Sequence, residues 1–526
     1  MLLRRIAAPR DAVLRAVVEP ITTGFSDPTD PHVDGREIRW GSVSDVAEEV
    51  ERFGELTADG DETTLTLRAV IDLRMPYFGF LFRPLIGRAV RRTLAHMADV
   101  IEARAAGRPD PPEPRRPIWA PRDRIEGSRA ATIATICAML LVAGYCGGLF
   151  TNTLDYVADS FGASDADLGV ALAVTRIGVL VGLVGATLAD RTGRRRILLG
   201  AIIGVCVAST VSAAAPNLLT FGAAQVFVRG FVQLAGIIGF VAVTEEAPEG
   251  SRAFLLAIAG MASGAGFALA AGLLPFADLA GEAWRLMYVI AGLGLFLLPG
   301  LARRLHETGR YTALSARAAS SRAGELVDAV YGGRFLIAAA MGLLLGFFGS
   351  PSLQWTNRYL SDVHGYSGAG IFLLRSVTQG IPALLAIVAG GKLAESSGRR
   401  VVASRTTLAL GIASIAFFLT GGAALWISML VATVAGAMSG PALTAFNTEL
   451  FPTEVRGRAG AVLLAFSVVG AAGGLLLTGY LADPLGDIGK AVALTCIAPI
   501  VVALFLIPRL PEGRGRALDE LSPPEV

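Results

Sequence analysis

Residues 188–200, LADRTGRRRILLG, place a short basic segment between two long apolar stretches. Asp190 stands beside Arg191 where the first apolar stretch ends, and three consecutive arginines, 194–196, follow a glycine. Charged side chains are costly in the hydrocarbon core of a bilayer, so this pattern predicts a loop at a membrane surface between two spanning helices.

The composition of the whole chain also indicates a membrane protein. Of the 526 residues, 53% are hydrophobic and 17% are charged, and the mean hydropathy is +0.57. A soluble chain of this length would form several domains with charged surfaces. The net charge of +2 gives no indication of nucleic-acid binding, because the basic residues are not gathered on one face.

The sequence contains no motif that indicates an enzyme. It contains no nucleophile triad, metal-ligand cluster or phosphate loop, and its cysteines show no Cys-x-x-Cys spacing. All four cysteines lie in apolar runs, which is typical of small buried hydrophobic residues: Cys137, Cys146, Cys206 and Cys496. We predict that the protein is not an enzyme and has no cofactor or metal site.

Twelve apolar runs are long enough to cross a bilayer, which takes about 20 residues of helix. They lie near residues 130–152, 167–189, 197–215, 218–243, 253–279, 285–302, 333–353, 369–393, 401–421, 424–447, 457–482 and 488–508. The prediction is an all-α membrane protein of twelve transmembrane helices in two pseudo-symmetric sets of six, preceded by a small α+β cytoplasmic domain. The predicted boundaries are 1–106 for that domain, 107–128 for a proline-rich linker, 129–304 and 333–510 for the helix sets, 305–332 for a cytoplasmic linker and 511–526 for a tail.

Loop charges predict the orientation. Arginine and lysine gather in the loop at 190–196, the central linker, the loop after span 8, the loop after span 10 and the tail. Basic residues concentrate on the cytoplasmic side, so both termini are predicted to be cytoplasmic. The intervening loops are nearly bare of bases, with Arg285, Arg358 and Lys490 as exceptions.

Two patterns repeat at nearly the same distance. LADRTGRRR at 188–196 matches LAESSGRRV at 393–401 with an offset of 205, and TEEAPEGSRA at 244–253 matches TELFPTEVRG at 448–457 with an offset of 204. The period equals one set of six spans, which predicts two parallel repeats related about the membrane normal.

These motifs resemble the signature of the major facilitator superfamily. TELFPTEVRGR, LHETGRYTAL at 305–314 and the tail LPEGRGRALDELS at 510–522 resemble its sugar-porter and organic-ion branch. The resemblance implies a plasma-membrane carrier for a small molecule that works by alternating access; coupling to a proton or another ion and a monomeric state are further expectations. Cys146 stands in GYCGG where proton–sugar symporters have an aspartate, and that argues against proton–sugar symport.

The repeated charges suit a cytoplasmic gate, in which acids and arginines pair across the two repeats. The alternative is a set of solvated charges that only fix topology. The gate candidates are Asp190, Arg191, Gly193, Arg194, Arg195, Glu245, Arg252, Glu307, Arg310, Glu395, Gly398, Arg399, Arg400, Glu449 and Arg456.

Polar residues inside the spans are the candidates for lining a substrate cavity. They are Tyr145, Asn152, Asp155, Arg176, Arg229, Gln233, Gln354, Trp355, Asn357 and Arg375. An arginine inside a membrane faces water or a partner, so Arg176 and Arg375 either hold a substrate carboxylate or form structural hydrogen bonds between helices. For Arg229, a structural or coupling role is favoured over direct contact with substrate. Asp155 is either a proton relay or a solvated loop acid.

The first 106 residues differ from the rest of the chain. Residues 10–18 predict a short helix, 35–41 and 62–75 predict strands, and 83–105 predict a long helix with Leu85, Val90, Leu94, Met97 and Ile101 on one stripe. This order resembles a shortened polyketide-cyclase or START-like domain, which implies a sheet wrapped around the long helix and an apolar ligand.

Three functions remain open at this stage. The first is a secondary transporter of a small organic acid, a sugar-like solute or a hydrophobic compound. The second is a sensor that does not transport, and the third is an efflux carrier to which the first domain delivers ligand.

Overall fold

A computed structural model of the protein describes residues 2–18, 31–34, 37–45, 48–59, 62–73, 79–112, 127–248, 251–305, 329–449 and 453–510. Within these ranges, eleven helices are long and apolar enough to cross a membrane. Each coincides with one of the predicted spans. The remaining predicted span, near 167–189, lies in a 28-residue helix, some of whose side chains are outside the described residues. The helical membrane fold is confirmed, and the count of twelve stays a prediction.

The first set of helices follows the N-terminal domain. Its members are α3 (Gly127–Asn152), α4 (Leu154–Phe161), α5 (Asp165–Thr192), α6 (Arg194–Ala213), α7 (Leu218–Glu246), α8 (Arg252–Gly272), α9 (Leu274–Ala277) and α10 (Trp284–Arg304).

The second set begins at residue 329. Its members are α11 (Ala329–Gln354), α12 (Thr356–Arg358), a π-helical turn (Tyr359–Val363), α13 (Gly368–Ser397), α14 (Arg399–Leu419), α15 (Gly422–Glu449), α16 (Thr453–Leu485), α17 (Ile488–Thr495), α18 (Ile497–Val501), a second π-helical turn (Val502–Leu506) and a 3₁₀ turn (Ile507–Arg509).

The repeated glycine of the basic motif has the same backbone conformation in both sets. Gly193 precedes α6 with φ 96° and ψ 141°, and Gly398 precedes α14 with φ 97° and ψ 138°. A side chain is strained at these angles, so only glycine fits without cost. The sequence repeat is therefore also a repeat of local structure.

The N-terminal domain is a five-stranded sheet with two helices, α1 (Arg10–Val18) and α2 (Gly79–Ala105). Its strands are β1 (Leu2–Ile6), β2 (Pro31–Asp34), β3 (Glu37–Asp45), β4 (Glu48–Asp59) and β5 (Glu62–Leu73), all paired antiparallel in the order β1-β5-β4-β3-β2. The sequence predicted both helices and β3 and β5, but it missed β1, β2 and β4.

One hydrophobic core holds this domain together. Leu65 and Leu67 of β5 are buried, and they pack in one cluster with Leu94, Met97 and Ile101 of α2. Val90 packs against the cluster, which confirms the predicted stripe on the helix as far as it is described. Leu85 lies outside the described side chains. The alternation in β5 buries one face of the sheet against α2.

The chain divides into two compact units. The first contains residues 1–139, 239–262 and 299–313, and the second contains residues 140–238, 263–298 and 314–526. The predicted domain boundaries stay predictions.

Within the second unit, α5 of the first set packs against α16 of the second set. The contact is a close approach of two glycines. A Cβ on Gly169 would lie 3.0 Å from the Cα of Gly479, and a Cβ on Gly479 would lie 2.6 Å from the carbonyl oxygen of Asp165. The absence of side chains here lets the two sets of helices touch near the ends of α5 and α16 that are predicted to face outside.

Candidate functional site

Polar side chains from both helix sets meet inside the second unit. We call them the core cluster, which consists of Thr151, Asn152, Arg176, Arg229, Gln354, Asn357 and Arg375. Six of the seven were predicted as cavity residues from the sequence. Thr151 was missed, because a threonine within an apolar helix carries no distinctive signal.

Two arginines of the first set converge on one amide of the second set. In the amide orientation that satisfies all partners, the oxygen of Gln354 accepts from Nη2 of Arg176 at 3.1 Å and from Nη2 of Arg229 at 3.0 Å. The amide nitrogen then donates to the hydroxyl of Thr151 at 2.6 Å. Gln354 is 1% exposed, whereas both arginines are half-buried.

The two guanidinium groups are strongly unfavourable neighbours. Since both donate to the same oxygen, their nitrogens lie within about 6 Å of each other, where like charges repel by about 3 kcal/mol at an effective dielectric constant of about 20. Among the described residues, no carboxylate forms an ion pair with Arg176, Arg229 or Arg375. The core cluster therefore carries positive charge that no acid in the described part of the chain neutralises.

Arg375 is held differently. It is 7% exposed, and its Nη1 donates to the side-chain oxygens of Asn357 at 2.9 Å and Asn152 at 3.3 Å. Its Nε donates to Gln379 at 3.2 Å, and its guanidinium lies 5.7 Å from the ring centre of Phe267. The interhelical hydrogen bonds considered for Arg375 are therefore present, and they fix its position.

The remaining buried candidates surround this cluster. Gln233 lies one turn beyond Arg229 on the same face of α7 and is half-buried. Trp355 is 0% exposed, and its indole nitrogen has no hydrogen-bond partner among the residues that the structure describes. Tyr145 is engaged within the first set, since its hydroxyl donates to the carbonyl oxygen of Met287 at 2.7 Å. Whether any of them contacts substrate stays a prediction.

A second polar group joins the two sets at the ends predicted to face outside. We call it the outer cluster: Arg358 of α12, Asp362 of the following turn, Asp155 of α4 and Asp165 of α5. Arg358 contacts Asp165 at 2.7 Å, Asp155 at 2.9 Å and Asp362 at 3.2 Å. The solvated-loop reading of Asp155 is wrong, because its side chain is only 14% exposed and is ion-paired.

The outer cluster has more acids than its arginine can neutralise. Burial and the neighbouring Asp155 raise the pKa of Asp362 to about 7, against the lowering by Arg358. The physical cause is that a third carboxylate in a shielded site adds repulsion that one guanidinium does not cancel. At neutral pH, Asp362 therefore holds a proton for part of the time.

Another acid links the sets beside this cluster. Asp278 accepts hydrogen bonds from the hydroxyl of Tyr156 and, at 3.1 Å, from the backbone nitrogen of Gly368. Both donors are neutral, and no ion pair of Asp278 is found among the described residues.

The sequence did contain one clue to the outer cluster. Arg358 was an exception to the charge rule for external loops, and a base in such a place needs local partners. Arg285, another exception, pairs with Glu282 and donates to the carbonyl oxygens of Ala213 and Ala215. The acids Asp165 and Asp362 carried no such clue.

The cytoplasmic gate is described only in part. The structure describes the side chains of Gly193, Arg194, Arg195, Glu245, Arg252, Gly398, Arg399 and Arg400. Those of Asp190, Arg191, Glu307, Arg310, Glu395, Glu449 and Arg456 lie outside the described residues. Pairing across the gate therefore stays a prediction.

Comparison with known proteins identifies the family. The family model of the Major Facilitator Superfamily matches residues 136–378 and 373–523, which is most of the chain.

The chain belongs to the major facilitator superfamily.

Its relatives in this superfamily carry different solutes. The chain is 25% identical to the glucose transporter GlcP of Staphylococcus epidermidis over 73% of its own length and 94% of that protein. It is 27% identical to the gallate transporter of Pseudomonas putida, over 69% and 89%. A probable inositol transporter of Arabidopsis thaliana is 29% identical, but the match covers only 31% of that protein.

Solved structures share the fold. The inward-open xylose transporter XylE from E. coli aligns with a TM-score of 0.63 at 19% identity, over 75% of this chain and 99% of XylE. An inward-facing bacterial homolog of the human lysosomal transporter Spinster aligns with a TM-score of 0.60 at 18% identity, over 73% and 97%. The protein is therefore a multi-pass membrane transporter of the major facilitator superfamily and not an enzyme.

Proposed function

We propose that the protein is a secondary active transporter that carries a small organic solute across the plasma membrane by alternating access. The observation that carries this proposal is the core cluster, because residues of both helix sets meet there around one polar site. A site built from two sets that can rock against each other is the arrangement alternating access requires. The outer cluster supplies contacts that close one side of it.

The cytoplasmic motifs support a gate on the opposite side. Gly193 and Gly398 place the following arginines of both repeats at equivalent helix starts. Such exposed ion pairs are worth about 1 kcal/mol or less each, so only a network of them biases one conformation. With the cytoplasmic termini predicted from loop charges, this gate faces the cell interior.

The N-terminal domain is proposed as a cytoplasmic ligand-binding or regulatory domain. Support comes from its own buried core and from a sheet packed on a long helix. The predicted START-like identity is not supported, because the structure gives only a small antiparallel sheet and its helices. The match to the superfamily model begins only at residue 136, so the family does not account for this domain.

Flux through reconstituted vesicles tests the transporter proposal. We expect the full chain in proteoliposomes to accumulate labelled solute when a solute or proton gradient is imposed, with gallate, benzoate and glucose as the first probes. Binding without flux would instead identify a sensor. The same measurement on a chain lacking residues 1–106 separates the roles of the domain: loss of flux only for lipophilic solutes indicates delivery of ligand, and altered flux for every solute indicates regulation.

A further inference from the structure

The arginines of the core cluster differ from other arginines of the chain in their partners. Arg4 pairs with Asp99 and Glu102, Arg104 pairs with Asp110, and Arg358 pairs with three acids. Arg176 and Arg229 have no carboxylate partner among the described residues, although they lie in the middle of membrane helices.

The oxygen that the two arginines share is a poor substitute for a carboxylate. The amide oxygen of Gln354 accepts from both guanidinium groups but carries no net charge. Nε of Arg176 is buried and has no acceptor within the described ranges. A buried charged donor without an acceptor is costly, so the site is incomplete unless something else supplies a negative oxygen.

Arg176 and Arg229 also differ from Arg375 in their exposure. Arg375 is buried, and its contacts with Asn357, Asn152 and Gln379 occupy its Nη1 and Nε. Arg176 and Arg229 are both half-buried, so part of each remains open to an incoming group. Arg375 is therefore a positioning residue, which orders the asparagines of the site.

We infer that the core cluster binds an organic anion through a carboxylate held by Arg176 and Arg229. The carboxylate would accept from the Nε of Arg176 and from the Nη groups that now share Gln354, which suits the planar fork of a guanidinium. This inference rests on the proposed function only in treating the core cluster as the substrate site. The test measures binding and does not depend on transport.

Charge placement explains why such an anion also fits the transport cycle. Both arginines belong to the first helix set, whereas Gln354 belongs to the second. A ligand bound between them would replace the repulsion between the two arginines with attraction, and it would lie at the junction of the two sets. Its binding would favour conformations in which the sets close around it.

The decisive variant is Gln354→Glu. It supplies an internal carboxylate at the point where the two guanidinium groups meet. We expect the purified full-length protein to unfold at a higher temperature without any ligand. We also expect Gln354→Glu to lose the stabilisation that carboxylates give the wild type. The probes are benzoate, gallate and succinate, with glucose, inositol and inorganic phosphate as comparisons.

Gln379→Glu is the matched control. It makes the same chemical change beside Arg375 and leaves Arg176 and Arg229 without an acid, so carboxylate binding is retained. Arg176→Gln is a second variant, needed if Gln354→Glu fails to fold. It weakens the affinity for the carboxylate by about ten- to a hundred-fold, as expected for a lost charged hydrogen bond.

Four results would overturn the inference. They are stabilisation of the wild type by none of the three carboxylates, stabilisation by phosphate alone, a sugar response that Gln354→Glu retains, and carboxylate binding by Gln354→Glu equal to that of the wild type. Carboxylate binding without any flux in proteoliposomes would instead contradict the transporter proposal and leave this inference standing.

Discussion

Arginine is used in opposite ways at the core cluster and at the outer cluster. In the core cluster, Arg176 and Arg229 share one neutral oxygen, that of Gln354. In the outer cluster, Arg358 alone contacts three carboxylates. Positive charge is in surplus at the first site and negative charge at the second. The outer cluster satisfies its arginine within the protein and so joins the helix sets, whereas we infer that the core cluster leaves charge for a ligand.

The largest effect is expected from Arg358→Gln. Asp155 and Asp165 would face Asp362 without a counter-charge, and their side chains are only 14% and 16% exposed. Removing one partner of a shielded ion pair destabilises by about 3 kcal/mol. A fall in the unfolding temperature of the ligand-free protein measures the effect.

Arg285→Gln serves as the control for this variant. Arg285 also lies on the side predicted to be external, but its ion pair with Glu282 lies within the first set, and Glu282 is 61% exposed. If Arg285→Gln destabilises the protein as much as Arg358→Gln does, the contacts between the two helix sets do not explain the large effect at the outer cluster.

Arg176→Gln is expected to have the opposite effect on the stability of the ligand-free protein. Without ligand, it removes one of two repelling charges, so the unfolding temperature should rise, by the equivalent of about 2 kcal/mol. Thermal unfolding of the ligand-free protein measures it. If Arg176→Gln destabilises the ligand-free protein as Arg358→Gln does, the contrast between the two clusters fails.

The smallest expected effect is a pH dependence from Asp362. Its pKa is raised to about 7 in the outer cluster, so the folded state binds a proton more tightly than the unfolded state. The destabilisation is absent below the ordinary aspartate pKa, grows as pH rises and is complete above pH 7. The side chain is 40% exposed, so the effect should be about 1 kcal/mol or less.

Asp362→Asn checks this dependence. The variant should be more stable than the wild type at pH 8 and equal to it near pH 4, as measured by unfolding across that range. Asp278→Asn is the control, because Asp278 accepts only from neutral donors in the same region. An unchanged pH profile in Asp362→Asn would mean that the surplus acid is not the titrating group.

Much of the fold could be predicted because its signals are local. Hydropathy marked eleven helices within a few residues of their observed bounds. The sequence repeat included Gly193 and Gly398, and the structure shows that both adopt the same positive-φ conformation, which only glycine adopts easily. Strand β4 was missed, because residues 48–59 carry many charges that conceal the strand pattern.

The candidate site was predicted only as a set of residues. Polar side chains in apolar helices pointed to Asn152, Arg176, Gln354 and Arg375 one at a time. Their pairing could not be predicted, since Asn152 and Asn357 are 205 residues apart and meet only through helix packing. The sequence left the carboxylate and structural roles of Arg176 and Arg375 open. The structure shows interhelical hydrogen bonds for Arg375, and the carboxylate role of Arg176 stays a prediction.

The sequence by itself determined that the protein is a duplicated membrane protein, because hydropathy and motif spacing are properties of the linear chain, and the resemblance of its motifs to the major facilitator superfamily implied a carrier. Only the tertiary structure decided which arginines are neutralised and which are not. The electrostatic state of a guanidinium depends on acids within a few ångströms, and for Arg358 two of those acids come from the other helix set.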